Sequence, residues 1–183
     1  MTLIAAKWTI DDYHNMITAG ILRDRKVELL KGEIVEIAPE GELHAYCSHE
    51  AGEYLSELLG KRVKVRQAKP ITLPNDSEPE PDLSIVQRLG RDYREHHPYV
   101  ENIFWVIEYS NSSLEKDLER KSKIYAEARI EEYWVVNLKK MHLVVFREPL
   151  DRDYSTKFTL TTGTIQSLAF DDVSISVERI INK

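Results

Sequence analysis

The sequence predicts an α/β fold in which a mixed β-sheet is flanked by helices. Three observations predict it. Short alternating or apolar runs, the mark of strands, lie before and after stretches of helical periodicity. One run, NIFWVIEY at 102–109, is almost continuously apolar, as expected of a strand covered on both faces. The length of 183 residues, with 42% hydrophobic and 31% charged side chains, suits one globular domain (1–183) with a core of its own.

The elements follow in order. Thr9 can cap a short helix, with Asp12 three residues on completing a capping box. Ile10, Tyr13 and Ile17 mark its inner face and Gly20 can end it. In KVELLKGEIVEIAP two short runs flank Lys31-Gly32, which predicts a hairpin with Val27 and Leu29 on one face and Glu28 and Leu30 on the other. Residues 44–59 suit an amphipathic helix ending at Gly60. VKVRQAKPITL reads as extended chain interrupted by Pro70. PNDSEPEP is an acidic turn that feeds a β-branched strand, DLSIV, opened by Asp82. A polar, basic and aromatic loop over 88–99 precedes NIFWVIEY. A helix at about 113–129 and the strand EEYWVVNL come next. MHLVVFRE, DYSTKFTL and a short C-terminal segment are expected to finish the sheet.

Composition excludes several classes. The formal charge of −6 argues against a protein that coats nucleic acid by charge alone, yet leaves room for a site whose acids a metal neutralises locally. A lone cysteine, Cys47, rules out an internal disulfide and a cysteine-based zinc cluster. No apolar run approaches the roughly 18 residues of a membrane span, and the N-terminus lacks the order of a signal peptide, so a cytoplasmic setting is expected. Ser110, Ser112 and Ser113 cluster, but no Gly-x-Ser-x-Gly elbow accompanies them. No glycine-rich phosphate loop is present. His44 and His49 have a poor helical ligand spacing, and His96-His97 sit in a loop without a companion cysteine, so both pairs read as solvated. Trp105 and Trp134, in apolar strands, read as core. Arg62, Lys64 and Arg66 alternate, so they either form a solvated face or meet a phosphate backbone.

Two carboxylates stand at strand ends. Asp82 opens DLSIV, and Glu108 closes an apolar run, where a charge is costly unless paired or metal-bound. Magnesium-like cations want oxygen ligands and take one or two protein carboxylates. Each acid alone could equally be a turn or edge charge. The helix over 113–129 sharpens the picture. At about 100° per residue, Leu114, Leu118, Tyr125 and Ala128 share a stripe with Lys121 in its middle. Lys116, Arg120, Lys123 and Glu127 point away. A lysine aimed at the core must find a carboxylate or lose its proton. Two outcomes stay open: Lys121 reaches the strand-end acids, or it snorkels out to pair with Asp117 one turn earlier.

Taken together, EPEPDLSIV, the run WVIEYSNSSLEKDLERKSKIYAEARIEEYWVVNL and VELLKGEIVEIAPEGELH resemble the Uma family of restriction-endonuclease-like proteins, over about residues 8 to 160. The order of motifs carries the resemblance: a PD dipeptide, a Glu-x-Ser at a strand end, a D-x-x-x-K-x-x-x-Y helix, then EYW. It implies a restriction-endonuclease-like mixed β-sheet core and a PD-(D/E)XK-type site. Pro81-Asp82 would be its PD element and Glu108 its second acid. The usual lysine two residues on is replaced by Ser110, and Lys121 matches a lysine moved to the following helix. Glu28 matches the N-terminal acid that often completes the metal set. Gln67, His44, Asp117 and Tyr125 fall at supporting or substrate-facing positions. Arg129-Ile130 stands where the family usually has glycine. The implied function is an endonuclease that uses Mg2+ or Mn2+ to hydrolyse DNA phosphodiester bonds, with DNA as partner and a homodimer as assembly. The alternative is a non-catalytic nucleic-acid-binding or protein-interaction module on the same scaffold.

Overall fold

The computed structural model describes residues 4–111 and 116–183, with residues 116 and 117 described by backbone only. In chain order the elements are α1 (Ile10–Thr18), β1 (Val27–Leu30), β2 (Glu33–Glu36), α2 (Glu42–Leu59), β3 (Lys64–Gln67), β4 (Leu83–Val86) and β5 (Ile103–Ser110). After them come α3 (Ser122–Glu127), β6 (Glu132–Asn137), β7 (His142–Leu150), β8 (Asp153–Leu160), β9 (Thr164–Ser167), β10 (Phe170–Ser176) and α4 (Val177–Ile181).

Strands β3 to β8 form a six-stranded sheet in sequence order. It is mixed, because β5 and β6 run parallel while the other neighbours run antiparallel. The parallel pair needs a crossover, and α3 lies within it. The predicted α/β class with a helix-flanked mixed sheet is therefore what the chain adopts.

Each face of the sheet buries its own apolar cluster. On one face Trp105, Ile107 and Tyr109 of β5 and Leu83 and Ile85 of β4 meet Ala51 and Leu55 of α2 and Ile180 of α4. On the other, Val106, Tyr133 and Val135 meet Ile124, Tyr125 and Ala126 of α3. The period-2 alternation of β5 thus sends Val106 and its neighbour but one, Glu108, toward the α3 face. Helix α2 approaches β3 closely at Gly52, where a Cβ would meet Gln67 Nε2 at 2.5 Å. The β1–β2 hairpin turns through Lys31 and Gly32, both at positive φ, as a two-residue turn of the primed type requires. Among the described residues, no helix is long and apolar enough to cross a membrane, and Cys47 is a buried free thiol.

Several expectations change in detail. The C-terminal segment does not extend the large sheet. β9 and β10 form a separate two-stranded sheet, and Ile165, Phe170 and Ile175 sink into the cluster shared with α2 and α4. The helix expected over 113–129 is a π-helical stretch, Lys116–Lys121, followed by the short α3. Residues 112–115, with Ser112, Ser113 and Leu114, lie outside the described residues. All four β1 residues are buried, because the hairpin is covered on both sides rather than one. On α1 the capping box forms as expected, but Ile17 is exposed, and Met16 packs with Ile10 and Tyr13. The 88–99 loop folds locally into a 3-10 turn, Gly90–Arg94. Arg62 lies in a turn before β3 and binds Asp172, so only Lys64 and Arg66 alternate on the strand.

Candidate active site

Asp82 immediately precedes β4, and Leu83 pairs with Ile107 on β5. One step back along this antiparallel ladder sets Asp82 opposite Glu108, on the same face. A direct bond ties the strands there, since the Tyr109 backbone N–H donates to Asp82 Oδ2 at 2.6 Å. The Asp82 carbonyl accepts from Ala68 N, which holds the residue against the end of β3.

Lys121, the last residue of the π-helical stretch, turns inward. Its Nζ donates to Glu108 Oε1 at 2.7 Å and lies 3.5 Å from Glu28 Oε2. Lys121, Glu108 and Glu28 are 5%, 4% and 1% exposed, so the two open outcomes for this lysine resolve toward the strand-end acids. The side chain of Asp117 lies outside the described residues. Tyr125, one turn beyond Lys121, donates its hydroxyl to the same Glu108 Oε1 at 2.9 Å. Burial, then Glu108, Tyr133 and Glu28, push the Tyr125 phenol well above its ordinary pKa, so it stays a neutral donor. Glu28 is carried in by the hairpin, and its Oε2 also accepts from Glu80 N at 3.4 Å. The result is an ammonium ion shared by two nearly sealed carboxylates, a pairing whose desolvation penalty makes it expensive as a device for stability alone.

These groups line a cleft of about 230 Å³, walled on the far side by residues 36–41 and by His44 of α2. His44 Nε2 lies 2.9 Å from Asp82 Oδ1, close enough for an ion pair but too oblique for a well-directed hydrogen bond. Burial works to lower the His44 pKa, but Asp82, Glu40 and Glu108 outweigh it and the net shift is upward. Gln67 is placed elsewhere. It lies over Gly52, its Oε1 3.2 Å from His49 Nδ1, and its neighbour Ala68 lines the cleft instead.

Glu80 and Lys26 are among the cleft residues that were not singled out from the sequence. Glu80, two positions before Asp82, lines the cleft, and its half-buried carboxyl is pushed up by burial and by Glu28 against the pull of Lys26, Lys69 and Lys121. Lys26 lies at the start of the hairpin, 3.3 Å from Glu40. The repeated acid-proline pattern of EPEPD was the available signal for Glu80. Nothing local marks Lys26.

The donor set fits a hard divalent cation in kind. Asp82 and Glu108 supply oxygen from one face of the sheet into one cleft, and one or two carboxylates are what magnesium asks of a protein. Among the described residues, no three His, Cys, Asp or Glu side chains stand close enough together to enclose an ion by themselves. Such a site would therefore keep most of its shell for water and substrate.

A strand-end aspartate, a strand-borne glutamate and a helix-borne lysine on a mixed sheet define a class, the restriction-endonuclease-like α/β proteins. A solved structure from Anabaena variabilis, described as "a putative nuclease belonging to DUF820", shares the fold with a TM-score of 0.68 at 13% identity. The match covers 85% of this chain and 89% of that one. The chain belongs to the Uma2 family, described as "Putative restriction endonuclease", whose model matches residues 10–178. A search of curated proteins returned no match. The functional class that the family supports is nuclease, with nucleic acid as the substrate.

Proposed function

We propose that the protein is a metal-dependent endonuclease that hydrolyses DNA phosphodiester bonds in the cleft between Asp82, Glu108 and Lys121. The observation that carries this reading is the 2.7 Å bond from Lys121 to Glu108, made in a cleft that Asp82 also lines. Asp82 and Glu108 would hold Mg2+ or Mn2+, with Glu28 assisting. A divalent ion so held supplies neutralisation of the phosphate and a more acidic water. The chain's own groups do the rest. Lys121, fixed by Glu108 and Glu28, presents a positive charge that orients the attacking water and stabilises charge growing on the phosphate oxygens. Tyr125 holds the Glu108 carboxylate in one orientation. The Tyr109 backbone N–H does the same for Asp82, and His44 lines the cleft beside it as a charge partner. Gln67 would act only indirectly, through the packing of α2 on β3.

A plasmid-nicking assay tests this. Wild type with Mg2+ or Mn2+ should nick supercoiled DNA. Asp82→Ala, Glu108→Gln and Lys121→Met should each lose about 100-fold or more, the scale of removing a transition-state stabiliser. Calorimetric titration with Mn2+ should show binding that Asp82→Ala abolishes. Nicking that persists undiminished in all three variants would sink the site assignment. Wild type that binds DNA but cleaves it with neither metal would favour a non-catalytic binding module on this scaffold. Cutting both strands calls for two sites, so a homodimer is expected, and sedimentation in the presence of duplex checks it.

A further inference from the structure

A second pocket, of about 300 Å³, lies against β3, an edge strand of the large sheet. Among the described residues it is lined by Lys64, Arg66, Arg88, Gly90 and Tyr93, with no carboxylate. That is unusual for a chain of net charge −6. Several other cations meet acids: Lys7 and Arg120 at Glu33, Lys26 at Glu40, Arg62 at Asp172, Arg147 at Glu132. Among the described residues, Lys64, Arg66 and Arg88 form no such pair.

Arg66 is the anchor. Its guanidinium lies 5.4 Å from the centre of the Tyr93 ring, and the Tyr93 hydroxyl is held by the Gln87 carbonyl at 2.9 Å. One Nη2 bond goes to the Pro70 carbonyl at 3.2 Å, and Nε is buried without a partner. A half-buried guanidinium with a spare donor is pre-set for an anion that accepts several hydrogen bonds, as phosphate does. Lys64 and Arg88 are exposed at the rim, and the turn at Gly90 leaves open space beside them.

The pocket is aligned with the carboxylate cleft. Arg66 pairs with Ser84 and Lys64 with Val86. Ser84 and Val86 follow Asp82 at steps of two, so all three share one face of the sheet. At about 3.3 Å per residue, the cations stand about 7 to 13 Å along the strand from Asp82. That is the run of roughly two to four phosphates along one DNA strand, at about 3.4 Å of axis each.

We propose that Lys64, Arg66 and Arg88, with Tyr93 fixing the arginine, bind backbone phosphates of the nucleic acid strand beside the cleavage position. The proposal rests on the nuclease reading of the cleft for its substrate, but binding can be measured without cleavage.

The test is fluorescence anisotropy of a labelled duplex in EDTA, using wild type, Lys64→Gln/Arg88→Gln, Arg66→Gln and a control, Lys139→Gln/Lys140→Gln. The Lys64/Arg88 variant changes exposed side chains only, so it keeps the test sound if Arg66→Gln loosens the fold. It should bind about tenfold more weakly, and its slope of log affinity against log salt should fall by about 2. The control should match wild type. In the nicking assay the Lys64/Arg88 variant should raise KM with kcat unchanged. Lost binding in that variant with no cleavage by any protein upholds this surface and overturns the nuclease reading alone. Wild-type affinity and salt slope in the variant overturn the proposal, and so does a wild type that binds no duplex. A variant that loses inorganic phosphate binding but keeps duplex binding also overturns it, marking a small-anion site instead.

Discussion

Lys121 shows how a single residue can be read from pattern alone. Its place in the stripe of Leu118, Tyr125 and Ala128 predicted an inward ammonium, and inward it goes, to Glu108 and Glu28. The pairing also makes a stability prediction. Lys121→Met leaves two buried carboxylates without their cation and should cost about 3 to 5 kcal/mol in urea unfolding. Adding Glu108→Gln should recover part of that loss while cleavage stays absent. If the double variant is as unstable as the sum of the two singles, the charges are not coupled. Glu28 was legible only through resemblance, because a charged residue in a four-residue strand carries no sign of what covers it. Lys26 enters the cleft through contacts made by distant chain, which no local window encodes.

At the scale of elements, local chemistry was the legible part. Thr9 and Asp12 form their reciprocal cap with bonds of 3.1 Å in both directions, because every partner lies within one turn. Thr9→Ala should lower stability by about 1 kcal/mol, read as a lower urea midpoint. The end of α3 offers the opposite case. Arg129 sits at φ +66 just past the helix, a left-handed position that favours glycine. Arg129→Gly should therefore stabilise by up to about 1 kcal/mol, less the loss of its exposed bond to the Pro149 carbonyl. Thermal unfolding checks the sign. Two features were not legible. The π-helical stretch before α3 is a change of winding that side-chain periodicity cannot distinguish from an α-turn over six residues. The β9–β10 pair looks like one more edge of the sheet in sequence. Its apolar residues are claimed instead by α2 and α4, a choice between surfaces that only the assembled fold offers.

Over the whole molecule, titration should limit stability from both sides. Burial holds His97 below the ordinary histidine range, with Arg66, His14 and His96 adding to it against Glu78. A histidine kept neutral in the fold contributes stability that is present above about pH 6.5 and lost as pH falls through its folded value. Tm should drop between pH 7 and 5, and His97→Gln should flatten that drop. At the alkaline side burial raises Tyr13 to about 12, and raises Tyr109, Tyr125 and Tyr154 well above the usual phenol value. Their contribution is complete below about pH 10 and lost as pH climbs through those folded values. Phenolate absorbance and circular dichroism should then change together above pH 10; phenolate signal appearing early and alone would mean these rings are not sealed.

The hairpin that delivers Glu28 lies early in the chain, yet the lysine it meets is supplied by the crossover between β5 and β6. Chain synthesised only as far as the hairpin therefore carries one acid and no base. An emerging polypeptide on the ribosome cannot pair Glu28 with Lys121 until the hairpin, β3 to β5 and the start of the crossover have all been made.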